Sequence, residues 1–185
     1  MTRDEAFDLV KGRLGETATL AHCLACEACM RMLAARLGAD VETWGLAGLV
    51  HDLDLDECEG DPERHAVVGA EILRQRGVAE EIVHAVLGHN NKVERTSLLD
   101  KALWAVDPTT GFITAAALIR PSRSTSDLEV SSVKKRMKDK RFAAAVNRDQ
   151  MRACADIGVD FDEFLGLCIK AMDGVRDRIG LAGAA

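Results

Sequence analysis

The stretch WGLAGLVHD, residues 44–52, is an apolar run that ends on an adjacent histidine and aspartate. Asp40 is a helix cap, and the helix it opens runs through Trp44, Ala47, Val50 and Leu53. His51 and Asp52 therefore stand at the end of a helix whose other residues belong in a core. Two polar side chains in that place need partners.

Working outward, the same kind of reading repeats along the chain. Thr2 with Glu5 is a capping box for a helix to about Leu14. A long helix is predicted from about Thr17 to Leu37, closed by Gly38. Asp61-Pro62 opens a helix to Arg76, stopped by Gly77, and another runs from about Ala79 to Leu87, stopped by Gly88 with His89 just beyond it. Ser97 with Asp100 opens a sixth helix, expected to end near Val106 because Pro108 disfavours helix at Asp107. Thr110 then opens a short apolar helix, FITAAALI. RPSRSTSD, residues 120–127, is the clearest loop, and basic helical pieces follow it. Asn147 with Gln150 opens a helix ending at Gly158, and Asp160 caps a last one to about Ile179. The last five residues, LAGAA, are expected to fray. No useful segment alternates with period two. The fold class is all-α, a compact multi-helix bundle.

At 185 residues the chain fits one domain, able to bury roughly 70% of the surface of its unfolded form without staples. Hydrophobic residues at 48% and charged residues at 29% exclude a disordered chain. No apolar run looks long enough to span a membrane, and MTRDEAFDLV lacks the layout of a secretion signal. The expected location is the cytoplasm, with six cysteines as reduced thiols. A net charge of −6 argues against general nucleic-acid binding. The charge is uneven: KKRMKDKR (134–141) is basic and HDLDLDECEGDPE (51–63) is acidic.

Two motifs imitate metal sites. Cys23, Cys26 and Cys29 lie three residues apart, so on a helix they span about 9 Å and fan around the axis. They cannot converge on one cluster and read as small apolar fillers, as do Cys58, Cys154 and Cys168. Asp52, Asp54, Asp56 and Glu63 resemble a calcium loop, but Glu57 stands where that loop needs glycine.

The histidines are more informative. His22 sits between apolar neighbours, His51 and Asp52 end one apolar helix, and Asp107 ends another, ALWAVDP. An ionised carboxylate in such surroundings needs a counter-charge, which a cation supplies. Imidazoles and carboxylates projecting from separate helices are how a helical domain builds a metal centre. That donor set suits Mn, Fe, Co, Ni or Zn without thiolates.

The pattern His22…His51-Asp52…Asp107 resembles the metal-binding signature of the HD-domain metal-dependent phosphohydrolases. LAHCLACEACMRMLAARLG, WGLAGLVHDLD, HAVVGAEILRQRGV, AVLGHN and ALWAVDPTTGFITAAALIRPS are all similar to the small stand-alone HD proteins described as predicted hydrolases. The resemblance covers nearly the whole chain. It implies one HD-type domain over residues 1–185, with a core at about 15–120 and a helical extension at about 126–180. It also implies that His22, His51, Asp52 and Asp107 hold one divalent ion, and that Asp52 bridges to a second held by His65 and His89. His84 has no counterpart in the pattern. Mg is a further candidate for these ions.

The activity implied is hydrolysis of a phosphate ester or nucleotide phosphate bond by hydroxide generated on the ion near neutral pH. Basic residues then stabilise the phosphoryl oxygens. Candidates are Lys92, Arg95, Lys101, Arg120 and Arg123, with Lys134, Lys135 and Arg136 able to close over the opening. Asp54 is a candidate for orienting a ligand or a water. The expected partner is a small phosphorylated substrate. Other readings are an HD-type dinucleoside-tetraphosphate hydrolase, an HD-fold di-iron oxygenase and a non-catalytic signalling module. The absence of tyrosine disfavours the phosphonate type of oxygenase, and a full set of six ligand-type residues disfavours the signalling module.

Overall fold

The computed structural model describes residues 1–15, 17–59 and 61–183. Its helices are α1 (Arg3–Leu14), α2 (Ala18–Leu37), α3 (Val41–Val50), α4 (Val67–Gln75), α5 (Glu80–His89), α6 (Leu98–Leu118), α7 (Val130–Met137), α8 (Arg148–Arg152) and α9 (Phe161–Gly174). A 3₁₀ turn, Ala153–Ile157, follows α8. The described residues form no extended strand, and the fold is an all-α bundle. Buried side chains from Ala6 to Leu181 make one continuous core.

Local signals place the starts of most helices. Thr2 and Glu5 form their capping box, and the side chains of Thr17, Asp40, Ser97, Asn147 and Asp160 cap α2, α3, α6, α8 and α9. Gly38 closes α2 in the left-handed conformation. The acidic stretch after α3 is a series of turns over residues 51–59.

Helix α2 is the hub, packed on α3, α6 and α9. Its length and composition would suffice to cross a membrane, contrary to expectation, but its apolar residues are those of this core. The contact with α3 is unusually close at Gly48. A Cβ there would lie 2.7 Å from the backbone oxygen of Cys26, so only glycine fits. One turn beyond this crossing, α3 presents His51; one turn before it, α2 presents His22.

Pro108 does not end a helix. It lies inside α6, which runs unbroken through both predicted pieces. Proline has no N–H for the carbonyl of Trp104, four residues back. Gln150 replaces it, donating Nε2–H to that oxygen at 2.9 Å. The helix predicted from Pro62 begins only at Val67, because Ala66 takes a left-handed conformation with φ 69°. Gly88 lies inside α5 rather than after it, packed against the Arg95 side chain. At the C-terminus, α9 stops at Gly174, short of Ile179. Leu181 is buried and its carbonyl accepts from the Thr125 N–H, and Ala182 bridges to Ser124, so these two residues are anchored rather than frayed. Residues 184 and 185, the end of that predicted frayed segment, lie outside the described residues.

Candidate metal centre

Four helices and one turn bring six side chains to one point. α2 supplies His22, the end of α3 supplies His51 and Asp52, the turn before α4 supplies His65, α5 supplies His89 and α6 supplies Asp107. His22 Nε2 lies 3.2 Å from Asp107 Oδ1, 3.6 Å from Asp52 Oδ2 and 3.1 Å from His51 Nε2. Asp52 Oδ1 lies 3.4 Å from His51 Nε2 and 3.3 Å from both His65 Nε2 and His89 Nε2. The last two nitrogens are 3.1 Å apart. Asp52 thus meets all four imidazoles, with Oδ1 toward His51, His65 and His89 and Oδ2 toward His22.

Each imidazole is held by its other nitrogen. His51 Nδ1 is 2.9 Å from the Gly48 carbonyl, and His89 Nδ1 bonds the Val86 carbonyl. Carbonyls only accept, so both Nδ1 atoms carry the proton. His65 Nδ1 is 2.9 Å from Asp54 Oδ1, and His22 Nδ1 is 3.0 Å from the Thr110 hydroxyl. Asp54 is itself held by the Gly69 N–H at 2.8 Å. The left-handed Ala66 and a clamp from Asn90 Nδ2 to the carbonyls of Pro62 and His65 (3.1 and 3.0 Å) fix the turn that delivers His65.

With Nδ1 protonated, every Nε2 points a lone pair inward, toward other lone pairs and two carboxylates. Acceptors facing acceptors at about 3 Å repel unless a cation lies among them. The donor set therefore fits divalent metal ions, and it does so with the outer-shell hydrogen bonds that metal-binding imidazoles use. Protons are the alternative source of positive charge. Burial disfavours charge on His65, but hydrogen bonds to Asp52 and Asp54 outweigh it and raise the ring to about 9. Burial, helped by the neighbouring imidazoles of His22 and His89, drives His51 down to about 4, with Asp52 and Asp107 opposing. Burial would raise Asp52, yet the surrounding imidazoles hold its carboxyl well below the usual range.

The remaining sequence candidates are placed differently. His84 turns away and bonds Asp100, the carboxylate in the capping box of α6, at 3.1 Å. Lys92 pairs with Glu63 at 3.1 Å, tying the segments that carry His89 and His65. The Arg95 guanidinium lies over Trp104, 3.8 Å from the ring centre, and donates to the Gly88 carbonyl beside His89 at 2.9 Å. Lys101 is half-buried on α6, six residues before Asp107. Arg120 and Arg123 are not brought to the cluster. Arg120 lies roughly 20 Å along the helix from Asp107 and pairs with Asp127. Lys134 is paired with Asp162 at 2.7 Å and Arg136 covers Phe142, while Lys135 lines a cleft with Arg120 and Asp139, so α7 forms no lid over the centre. All six cysteines are free and buried. Cys26 approaches the cluster, 3.7 Å from His22 Nε2 and grouped with His22 and His51. The sequence reading takes Thr110 as the start of a helix and gives it no part in the site; it lies inside α6.

A family model described as HD domain matches residues 19–141. The chain belongs to the HD domain family. Among curated relatives, Ribonuclease Y of Desulfotalea psychrophila is 33% identical over 143 residues, covering 74% of this chain and 27% of its own length. Ribonuclease Y of Thermobifida fusca is 34% identical over 131 residues, covering 69% and 24%. That of Cutibacterium acnes is 33% identical over 111 residues, covering 60% and 19%. The chain thus spans about a fifth to a quarter of these relatives. No solved structure gives a significant match.

Proposed function

We propose that this HD domain is a two-metal hydrolase of phosphoric esters or anhydrides. The observation that carries this reading is the meeting of four imidazole nitrogens and two carboxylates, all acceptors, around the shared Asp52. His22, His51, Asp52 and Asp107 would hold one ion, and Asp52, His65 and His89 the other. Bound there, the ions supply Lewis acidity and a hydroxide from water near neutral pH.

The chain's own residues do the rest. The acceptors on each Nδ1 keep Nε2 unprotonated and aimed, and Asp52 sets the spacing of the two ligand groups. His22 and Asp107 are the more exposed members of the set, with side chains 22% and 28% accessible, so substrate approaches from their side. The guanidinium of Arg95, stacked on Trp104 one turn from Asp107, is the cation best held to meet phosphoryl oxygens there. Lys92 and Lys101 are secondary candidates.

The similarity to proteins named Ribonuclease Y favours, as a second reading, a phosphodiester in RNA as the bond cleaved. The test is a panel under Mn²⁺ and Fe²⁺: an aryl phosphate monoester, an aryl phosphodiester, nucleotides, a dinucleoside tetraphosphate and an oligoribonucleotide. Release of phosphate or cleaved product, lost in His51→Ala, is expected. Equal turnover in His51→Ala, or oxygen uptake without hydrolysis, contradicts the assignment.

A further inference from the structure

Thr110 occupies a place that the ligand set alone does not explain. It is fully buried on α6, three residues beyond Asp107. Its hydroxyl donates to the Asp107 carbonyl oxygen at 3.0 Å. That uses its single hydrogen and leaves two lone pairs. One faces His22 Nδ1 at 3.0 Å and the other faces the Cys26 sulfur at 3.4 Å. Every hydrogen-bonding position of the hydroxyl is filled, with His22 N–H and Cys26 S–H as donors.

This differs from the support of the other three imidazoles. His51 and His89 rest on backbone carbonyls and His65 on a carboxylate, which cannot donate. His22 rests on a hydroxyl, which can do either. The hydroxyl accepts from His22 only because the Asp107 carbonyl takes its hydrogen. The tautomer of a ligand on α2 is thereby tied to the helical turn that carries a second ligand on α6.

We propose that Thr110 is a positioning residue of the metal centre: by accepting from His22 Nδ1 while donating to the Asp107 carbonyl, it keeps His22 Nε2 free and aimed at Asp107 and His51. The inference rests on the metal reading given above. It also assigns Cys26. The sulfur is near enough to His22 and His51 to share an ion with them, but it is 3.7 and 3.9 Å from the two ring nitrogens of His22, nearly equidistant, and so off the Nε2 axis. Cys26 serves as a donor to Thr110 and is not a metal ligand.

The test uses Co²⁺ titration of the metal-free full chain, read by absorbance and by competition with a chelator, with no turnover needed. Thr110→Val keeps the shape and removes all three hydrogen bonds of the hydroxyl. It is expected to weaken binding at the His22 group roughly 10- to 100-fold, with the His65–His89 group unaffected. Thr110→Ser restores the hydroxyl and is expected to restore affinity, which a purely steric role would not require. Should Thr110→Val fail to fold, Thr110→Ala against Thr110→Ser gives the same comparison. The Co²⁺ spectrum of the wild type is expected to lack a near-ultraviolet thiolate band.

Equal affinity in Thr110→Val, or no recovery in Thr110→Ser, overturns the assignment of Thr110 while leaving the metal reading intact. A thiolate band lost in Cys26→Ala would put sulfur on the ion and overturn the hydrogen-bond pattern argued here. A wild type that binds no Co²⁺ removes the metal reading, and Thr110 with it.

Discussion

Helix α2 carries two polar side chains five residues apart, Glu27 buried and His22 half-buried, and they behave oppositely. Glu27 is 6% exposed and its carboxylate is met by guanidiniums: Arg3 through two bonds of 2.9 Å and Arg31 at 3.1 Å, with Arg31 also pairing with Glu42. Donors face acceptors and the charges are answered within the chain. His22 enters a cluster in which acceptors face acceptors and only protons or added cations balance the charge. A buried polar cluster that closes on itself is part of the scaffold. One that leaves its charge unanswered is built for something the chain does not contain.

Substitutions on the two clusters should dissociate cleanly. Asp52→Ala removes the carboxylate shared by both ligand groups. It should abolish ion binding and lower hydrolysis at least ~10³-fold, the scale of several kcal/mol of charge stabilisation, while circular dichroism of the metal-free chain is unchanged. Glu27→Ala should do the reverse. It should lower unfolding free energy by about 2 kcal/mol, as expected for lost charge-assisted hydrogen bonds, with Co²⁺ affinity unaltered. Chemical denaturation and metal titration of each variant check both halves. Gly48→Ala, at the crossing that sets His51 against His22, joins the two effects. The added methyl meets the Cys26 backbone, so about 1–3 kcal/mol of stability and some ion affinity should be lost together.

The pH dependence sharpens the same contrast. Burial acts against the charge of Glu27, but Arg3 and Arg31 outweigh it and hold its carboxyl below the ordinary value of 4.5. A depressed carboxyl contributes stability that is fully present above the unfolded value and is lost as pH falls through the folded one. The stability gap between wild type and Glu27→Ala, measured on metal-free protein, should therefore narrow as pH drops below 4.5. A gap that stays constant would mean that Glu27 acts through packing alone. The smallest expected effect is that of Gln150→Ala, which leaves the Trp104 carbonyl without its donor and should cost about 1 kcal/mol.

What the sequence disclosed follows the range of the interaction concerned. Caps such as Thr2, Asp40 and Ser97 act within four residues, and the helices they open begin where the residues say. The break at Pro108 was misread because its repair comes from Gln150, distant in sequence. The start of α4 differs because Ala66 adopts a backbone conformation uncommon for alanine, in a turn held by Asn90 at the end of α5. The six ligand-type residues were legible through their resemblance to a family pattern and their apolar settings. Asp54 was legible only as a candidate, and Thr110 not at all, because a second hydrogen bond to an imidazole leaves no mark on spacing. The basic candidates divide for the same reason: nothing in the chain order separates Arg95, packed beside the site, from Arg120 at the far end of its helix.

The central claim is that the acceptor cluster around Asp52 exists to hold divalent ions. Metal titration of the metal-free protein with Mn²⁺ or Co²⁺, wild type beside Asp52→Ala and Glu27→Ala, tests it most directly. The account predicts ion binding in wild type and Glu27→Ala and none in Asp52→Ala. Binding that survives Asp52→Ala, or is absent from the wild type, would contradict it.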